Sequence, residues 1–278
     1  MLPLKKIYID SRFKTSDSIS NSNFKIDLPT TVYWTDNTVY FIDDVCIPHS
    51  WYSIEKNVND KLYVFIKNKT YPAEDIRNIQ IIITIPYGNY SGADLATELQ
   101  TELSALLVVS YNARRNNITI TTAFNDQEFK IMTDNDVQTK LSEIYLLNYD
   151  VNNPQTMNDI LRNAEGNSIY YNSTNPYISG VLDLQPIRNI YMHSPNLTSF
   201  NTLGPLGEKT IIKKIPVTSD FNTVIFDQVM TSNDYIDCSR QTWQRLEFQL
   251  RDSKGNTINL HGSHMSFSII MSRMNPNS

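Results

Sequence analysis

The chain has 278 residues, a formal net charge of −5, 40% hydrophobic residues and 19% charged residues. This length allows one large β domain or two smaller domains, and the acidic balance argues against specific binding of nucleic acid. No apolar run approaches the roughly 18–20 residues of a membrane span, and the start does not read as a signal peptide, so we expect a soluble protein. Two cysteines, Cys46 and Cys238, are too few for a disulfide framework.

The first 88 residues predict a series of short β-strands. A strand pattern over residues 5–15 gives way to a polar loop, and the strands that follow are rich in Tyr, Val, Ile and Phe. Their apolar segments are 24–34, 38–54, 61–68 and 79–88. Little helical period is visible in this part of the chain.

The period changes at residues 91–107, which predict an amphipathic helix. Ser91 and Asp94 have the spacing of a capping box, and the apolar positions fall on one helical face. These positions are Leu95, Leu99, Leu103 and Leu106. A hairpin with its turn near Arg115–Asn117 is predicted next, then a strand at 128–133 and a short helix at 136–145.

Residues 148–176 are rich in Asn and read as a connector, with one possible helical turn around Met157–Leu161. Strand patterns then resume. The segments concerned are 178–185, 188–194, 209–217, 222–229 and 235–238, followed by the alternating run 242–270.

This order predicts a mostly β protein: a single jelly-roll β-sandwich interrupted by a small α/β insertion domain. A jelly roll needs eight strands, and neither β flank alone supplies eight. The first part of the jelly roll is predicted at 1–57, the outward-projecting insertion at 58–165 and the second part at 166–278.

The run 242–270 contains two histidines, His261 and His264, that could suggest a metal site. Residues three apart on a strand point to opposite faces, so the pair could chelate one ion only if the strand broke at Gly262. The alternating apolar residues on either side of the turn at Lys254–Asn256 instead predict a structural hairpin with a kink or bulge at Gly262. We therefore predict no metal site.

Other patterns that could carry chemistry are weak. The carboxylate pairs at Asp43–Asp44, Glu74–Asp75 and Asp134 with Asp136 could serve a glycosidase, but strand neighbours face opposite ways. Motifs for a nucleophilic serine, a P-loop or a dinucleotide are absent. We predict no catalytic residue, no cofactor and no enzyme activity. An aromatic set could mediate contacts with a large partner: Trp51, Tyr52, Tyr63, Tyr71, Tyr87 and Tyr90.

Several blocks of the sequence resemble the penton (minor capsid, vertex) proteins of virophages and polinton-like viruses. The blocks run in the order of that family over most of the chain, and the most specific parts are Ile9–Arg12, Ile47–Trp51, Leu260–Gly262 and Phe267–Ser268. The full blocks are YIDSRFKTSDSISNSNFKIDLP, VYFIDDVCIPHSWYSIE, NDKLYV, IPYGNYSGADLATELQTEL and WQRLEFQLRDSKGNTINLHGSHMSFSII.

The resemblance implies a structural virion protein that is assembled inside the host cell and located at the capsid vertex. Five copies would form the vertex of an icosahedral capsid, among trimers of a double-jelly-roll major capsid protein. The insertion would project outward and could contact a host surface or a fibre. We further expect Met1–Ile9 to act as a tail that reaches a neighbouring capsid protein.

Two other classes of function remain open at this stage. A jelly-roll carbohydrate-binding or adhesion module would share the composition rich in β-formers, Tyr and Asn. An orphan glycoside hydrolase would need two carboxylates facing one pocket. Saccharide binding by a monomer would favour the first class, and loss of activity on removal of either carboxylate would favour the second.

Overall fold

The computed structural model describes residues 5–70, 79–103, 106–139, 155–162, 169–198, 202–228 and 235–273. Its backbone contacts divide the chain into two compact units. Unit 1 consists of Met1–Trp51 with Ile187–Ser278, and unit 2 is the continuous segment Tyr52–Pro186. Unit 1 is therefore built from two flanks of the chain, and unit 2 is inserted between them.

Strands dominate both units. In chain order the elements are β1 (Lys5–Asp10), a 3-10 turn (Ser11–Phe13), β2 (Asn23–Tyr33), β3 (Thr38–Pro48), β4 (Lys61–Asn68), β5 (Ile79–Thr84), α1 (Gly92–Leu103), β6 (Leu107–Asn112), β7 (Asn117–Thr122), β8 (Gln127–Ile131), α2 (Asp134–Thr139), α3 (Asn158–Leu161), β9 (Tyr177–Ile178), β10 (Asn189–His193), β11 (Ile211–Pro216), β12 (Val224–Asp227), β13 (Ile236–Asp237), β14 (Thr242–Arg251) and β15 (Ser266–Arg273). No helix in the described ranges is long and apolar enough to span a membrane.

Unit 1 contains two antiparallel sheets. Sheet A has the order β1-β15-β3-β12, with β13 also paired to β3, and sheet B has the order β11-β10-β14-β2. If β12 and β13 are counted as one interrupted strand, the eight strands of unit 1 follow the orders 1-8-3-6 and 5-4-7-2. These two four-stranded orders are those of a jelly roll. The predicted fold class is thus confirmed, and unit 2 lies between the third and fourth strands of the roll.

The core of unit 1 is formed by alternate side chains of both sheets. Trp243 contacts Trp34 and Tyr40, with ring centroids 5.2 and 5.5 Å apart, and Phe24 contacts Phe248 at 5.6 Å. Burying one large apolar side chain contributes about 1.5–3 kcal/mol. The Trp243–Tyr40 contact joins β14 of sheet B to β3 of sheet A, whereas the Phe24–Phe248 contact lies between paired strands of sheet B.

The prediction that the two arms of the run 242–270 pair with each other as a hairpin is wrong. β14 pairs with β10 and β2, whereas β15 pairs with β1 and β3. Only the tip is a hairpin, closed by a bond from the Ile258 N–H to the Leu250 carbonyl at 3.0 Å. Left-handed backbone at His261 (φ 47°) and Gly262 (φ 82°) then redirects the chain. The two arms bury their apolar phases in one core from opposite sheets, which is why their pattern resembled that of paired strands.

Unit 2 has its own core around two three-stranded sheets, β5-β4-β8 and β6-β7-β9. Helix α1 begins with the predicted capping box: the Ser91 hydroxyl accepts from the Asp94 N–H at 3.2 Å, and the Asp94 carboxylate accepts from the Ser91 N–H at 3.2 Å. Its buried leucines, Leu95, Leu99 and Leu103, are three of the four predicted ones. The β6–β7 hairpin also forms as predicted.

The contact units end at residues 51 and 186, whereas the sequence placed the domain boundaries at 57 and 165. The difference arises in the segment that the sequence suggested was a connector. Its helical turn α3 buries Ile160 and Leu161 in the core of unit 2, and Tyr171 exchanges two backbone hydrogen bonds with Phe129. The strand predicted over 178–185 is reduced to β9, because the residues after Ile178 leave the sheet.

Two other expectations lie partly outside the described residues. The second predicted helix, 136–145, appears as α2 up to Thr139, and residues 140–145 are not described. The tail predicted at Met1–Ile9 is wrong from Lys5 onward, because β1 pairs along its whole length with β15 and Ile9 is only 2% exposed. Residues 1–4 are outside the described ranges.

Candidate assembly surfaces

Three of the four histidines have separate hydrogen-bond partners. His261 donates through Nδ1 to the Ser50 carbonyl at 2.7 Å, and His49 donates to the Ser219 carbonyl at 2.8 Å. His193 bonds the Thr210 hydroxyl at 2.8 Å, and His264 is exposed. Across the described ranges, no three His, Cys, Asp or Glu side chains form a group that could hold a metal ion.

The acidic pairs singled out in the sequence have local structural roles where they are described. Asp136 accepts bonds from Thr133 at the start of α2 and forms a buried ion pair with Lys130 at 3.2 Å. Asp134 accepts from the Asn158 amide at 3.0 Å. Asp44 lies at the irregularity in β3 and accepts from the Gln228 amide at 2.8 Å. Glu74–Asp75 lie outside the described residues.

The aromatic set does not form one surface. Trp51 and Tyr63 are buried, with 2% and 1% exposure. Tyr87 is exposed and its ring lies 6.0 Å from that of Tyr52, while the Tyr90 hydroxyl donates to the Pro86 carbonyl. Tyr71 is not described. The two buried members are core residues of their units, and Tyr87 is the exposed member among those described.

The outer face of sheet A combines polar and apolar side chains, and its exposed apolar residues lie on the two edge strands. Tyr8 on edge strand β1 is 76% exposed, and Val224 and Phe226 on edge strand β12 are 56% and 54% exposed. Between them, Phe41 and Ile270 also point away from the core and are paired in register. The Phe41 ring is covered by the edge of Tyr235, with centroids 5.4 Å apart. Exposed aromatic side chains therefore lie along both edges of this face.

The outer face of sheet B is ionic. Arg245 makes two bonds to the Asp27 carboxylate, at 2.7 and 3.0 Å, and reaches Asp17 at 3.3 Å. Lys25 joins Asp17, at 3.2 Å, to Glu247, at 3.9 Å. The Thr15 hydroxyl and Lys25 lower the pKa of Asp17 to about 2, so its carboxylate stays charged at any physiological pH. The two faces of one roll thus differ sharply in chemistry.

The difference between the outer faces of sheets A and B was not predicted from the sequence, although the sequence contains a pattern that indicates it. A strand with one solvent face alternates apolar and polar residues, but Val224, Ile225 and Phe226 are consecutive, as are Val39–Ile42. In both strands one phase fills the core and the other lies on the outer face of sheet A. Continuous apolar runs therefore marked the two strands, β3 and β12, that carry apolar residues on both faces of sheet A.

The fold defines a single-jelly-roll protein that carries a large insertion between its third and fourth strands. Among the solved structures, the chain is similar to that of the mavirus penton protein, with 13% sequence identity and a TM-score of 0.49, over 97% of this chain and 100% of that one. That protein is of the class that the sequence resembles. No protein-family model matches the chain, and no curated protein does so.

Proposed function

We propose that the chain is a structural virion protein: a homopentameric penton that closes the fivefold vertices of an icosahedral capsid. The jelly-roll strand order of unit 1 supports this role together with the sequence blocks that resemble penton proteins. Our proposal is a role in assembly rather than in catalysis, at the capsid vertex of a particle assembled inside the host cell.

The observation that carries the proposal is the contrast between the outer faces of the two sheets. In a closed ring each subunit meets its two neighbours through two different surfaces. Exposed apolar side chains on a protein surface are typical of interaction sites. Tyr8, Val224 and Phe226 supply them on sheet A, and Tyr33 is the exposed aromatic residue on β2 of sheet B. The ionic network around Arg245 supplies a second, different surface. A subunit of this kind suits heterologous contacts better than a twofold dimer.

The remaining partners rest on the resemblance. Trimers of a double-jelly-roll major capsid protein would surround the ring, and unit 2 would project outward toward a host surface or a fibre.

The first experiment is light scattering on the purified chain, with negative-stain averages of the same peak. We expect a species of about 160 kDa, five times the chain mass of 32.0 kDa, with fivefold symmetry. If the chain is a monomer alone, co-expression with the major capsid protein of the same virus should produce particles with the chain at their vertices. A monomer that joins no particle and binds a defined glycan would overturn the proposal and favour the carbohydrate-binding module.

A matched pair of variants tests whether sheet A forms the contact between subunits of the ring. Phe226→Lys should raise the dissociation constant of the ring about tenfold or more, because an exposed aromatic residue of an interface is replaced by a charge. Phe124→Lys changes a residue of similar exposure, 52% against 54%, in unit 2 and should leave the ring intact. Equal behaviour of the two variants would show that sheet A is not the contact surface.

A further inference from the structure

The two sheets of unit 1 have four edge strands, and the edges of sheet B are protected. The edge of β2 is covered by the loop before it: the Thr15 N–H donates to the Lys25 carbonyl at 2.9 Å, and the Lys25 N–H donates to the Ser18 hydroxyl at 3.0 Å. The other edge strand, β11, ends at Pro216, which has no N–H to donate. Cover by a loop and proline both prevent an edge strand from pairing with another chain.

The first edge strand of sheet A, β1, is open. Just after it, the Ser11 N–H donates to the Met265 carbonyl at 3.0 Å. The odd-numbered residues of β1 therefore direct their backbone groups to β15, and the even-numbered residues Lys6, Tyr8 and Asp10 direct theirs away from the sheet. Within the described ranges these outward N–H and C=O groups have no hydrogen-bond partner, and the side chains of Lys6 and Tyr8 are exposed.

The opposite edge strand of sheet A, β12, is open in the same way. The His49 N–H donates to the Thr223 carbonyl at 2.8 Å, just before β12. Thr223 and Ile225 therefore direct their backbone groups to β3, and Val224 and Phe226 direct theirs away from the sheet. No hydrogen bond to these two outward rungs comes from the part of the chain that the structure describes. β12 also contains no lysine or proline that would block pairing.

The two open edges are compatible with each other in direction and in pleat. Every pairing in sheet A is antiparallel, so β1 and β12, which have two strands between them, run in opposite directions. A second copy rotated about an axis along the strands therefore brings its β1 to β12 as an antiparallel partner. In both strands the outward rungs carry their side chains on the outer face of the sheet, because Ile9 and Ile225 of the other phase lie in the core. Residues that face each other in a ladder must share a face in this way.

One register of such a pairing also matches the side chains. With Tyr8 of one copy opposite Phe226 of the other, two exposed aromatic residues become cross-strand neighbours, and aromatic pairs of this kind stabilise a sheet. The same register places Lys6 opposite Gln228. The Gln228 amide donates to the Asp44 carboxylate at 2.8 Å, so the Lys6 ammonium would approach an acidic group of the other copy.

We propose that β12 of one subunit pairs with β1 of the next, so that sheet A continues from subunit to subunit around the ring. The inference rests on the proposed pentamer and narrows its contact to the two edges of sheet A. Main-chain bonds between the edges supply affinity, as in other cases of strand addition. Head-to-tail pairing closes both open edges of every subunit, whereas a twofold dimer through β1 would leave β12 open.

Disulfide cross-linking tests the pairing and its register. Lys6→Cys and Gln228→Cys are placed in separate full-length chains, each with Cys46→Ser, and the two chains are mixed, assembled and oxidised. Opposite residues that exchange backbone bonds have Cα atoms about 5.5 Å apart, which suits a disulfide. We expect covalent dimers from this mixture, and none from either variant alone or from Lys6→Cys mixed with Phe124→Cys.

The outcomes separate this inference from the vertex proposal. A fivefold ring that forms without the cross-link would overturn the strand pairing alone. Covalent dimers from either variant by itself would indicate a twofold contact and would also overturn the pairing. A chain that forms no ring and joins no particle would overturn the pairing and the vertex proposal together.

A backbone substitution separates strand pairing from the packing of side chains. Tyr8→Pro and Tyr8→Ala both remove the aromatic ring, but only proline removes the N–H that points away from β15. Proline is tolerated at such an edge position because the single chain loses no hydrogen bond there. Tyr8→Pro should therefore raise the dissociation constant of the ring at least about tenfold above that of Tyr8→Ala. Equal dissociation constants for the two variants would show that the subunits meet without pairing their strands.

Discussion

Phe248 on β14 and Phe267 on β15 meet edge to face, with ring centroids 4.9 Å apart and ring planes at 79°. The two strands follow one another in the chain but belong to different sheets. Their contact therefore crosses the sandwich instead of running along one sheet. The contact forms because the chain passes from sheet B to sheet A after Gly262.

Truncation of this contact should destabilise unit 1. Phe248 is fully buried and also contacts Phe24, so Phe248→Ala removes contacts with both sheets and leaves a cavity. We expect a loss of about 3–5 kcal/mol in the free energy of unfolding, measured by urea denaturation. Phe124→Ala, at an exposed site, should change this free energy by less than about 0.5 kcal/mol. A small effect of Phe248→Ala would mean that the sheets are held together elsewhere.

Lys213 ties the edges of the two sheets. From β11 in sheet B its ammonium donates to the Ile42 carbonyl at 2.9 Å and lies 3.5 Å from the Asp227 carboxylate, both in sheet A. The two charged side chains are only 10% and 13% exposed. Lys213→Met keeps the apolar stem but removes the ammonium group from the Ile42 carbonyl and from the Asp227 carboxylate, so we expect a loss of about 1–3 kcal/mol in the free energy of unfolding.

The neighbouring Lys214 provides the control for this measurement. It is exposed, and Lys214→Met should stay within about 0.5 kcal/mol of the unchanged protein. Equal denaturation midpoints for the two variants would show that the bonds of Lys213 add nothing to stability.

His193 should make stability depend on pH. Burial lowers the pKa of His193, Arg251 lowers it further, and Glu208 opposes this in part. The unfolded chain, with a histidine pKa of about 6.5, then binds the proton more readily than the folded one. The stabilisation is present above about pH 6.5 and is lost as the pH falls toward the lower folded value. Urea midpoints should therefore drop on acidification.

The variant His193→Gln separates this effect from the titration of carboxylates. It should reduce the drop in midpoint between about pH 7 and pH 5, because the neutral amide takes up no proton in either state. His264→Gln changes an exposed histidine and should leave the drop as it is. A drop of equal size in all three proteins would contradict the role of His193.

The two thiols should differ in reactivity. Cys238 is buried, its Sγ donates to the Thr38 carbonyl at 3.4 Å, and burial raises the pKa of this thiol to about 12. Cys46 is partly exposed, and burial raises its pKa as well. Because the thiolate is the reactive form, a disulfide reagent at about pH 8 should label Cys46 slowly and Cys238 only after unfolding. Labelling of native Cys46→Ser protein at the rate of the denatured chain would contradict this.

The sequence by itself determined the elements and the fold class. Period-two alternation located most strands, and the spacing of Leu95, Leu99 and Leu103 after Ser91 located α1 with its cap. Such patterns are local: they report which residues share a face, and backbone geometry then requires a strand or a helix. The order of strands and helix along the chain was sufficient for a jelly roll with an insertion.

Tertiary structure alone decided which strands pair and which side chains meet. The alternation of apolar and polar residues in β14 and β15 is equally compatible with a hairpin and with strands in opposite sheets. A period of two shows which residues share a face of a strand, but it does not show which strand is the pairing partner. The same holds for Tyr171, whose partner Phe129 is remote in the chain, and for Lys213, whose bond reaches Ile42. These contacts form only when long loops close, which costs chain entropy. The free energy that offsets this cost comes from the assembled core and not from any local pattern.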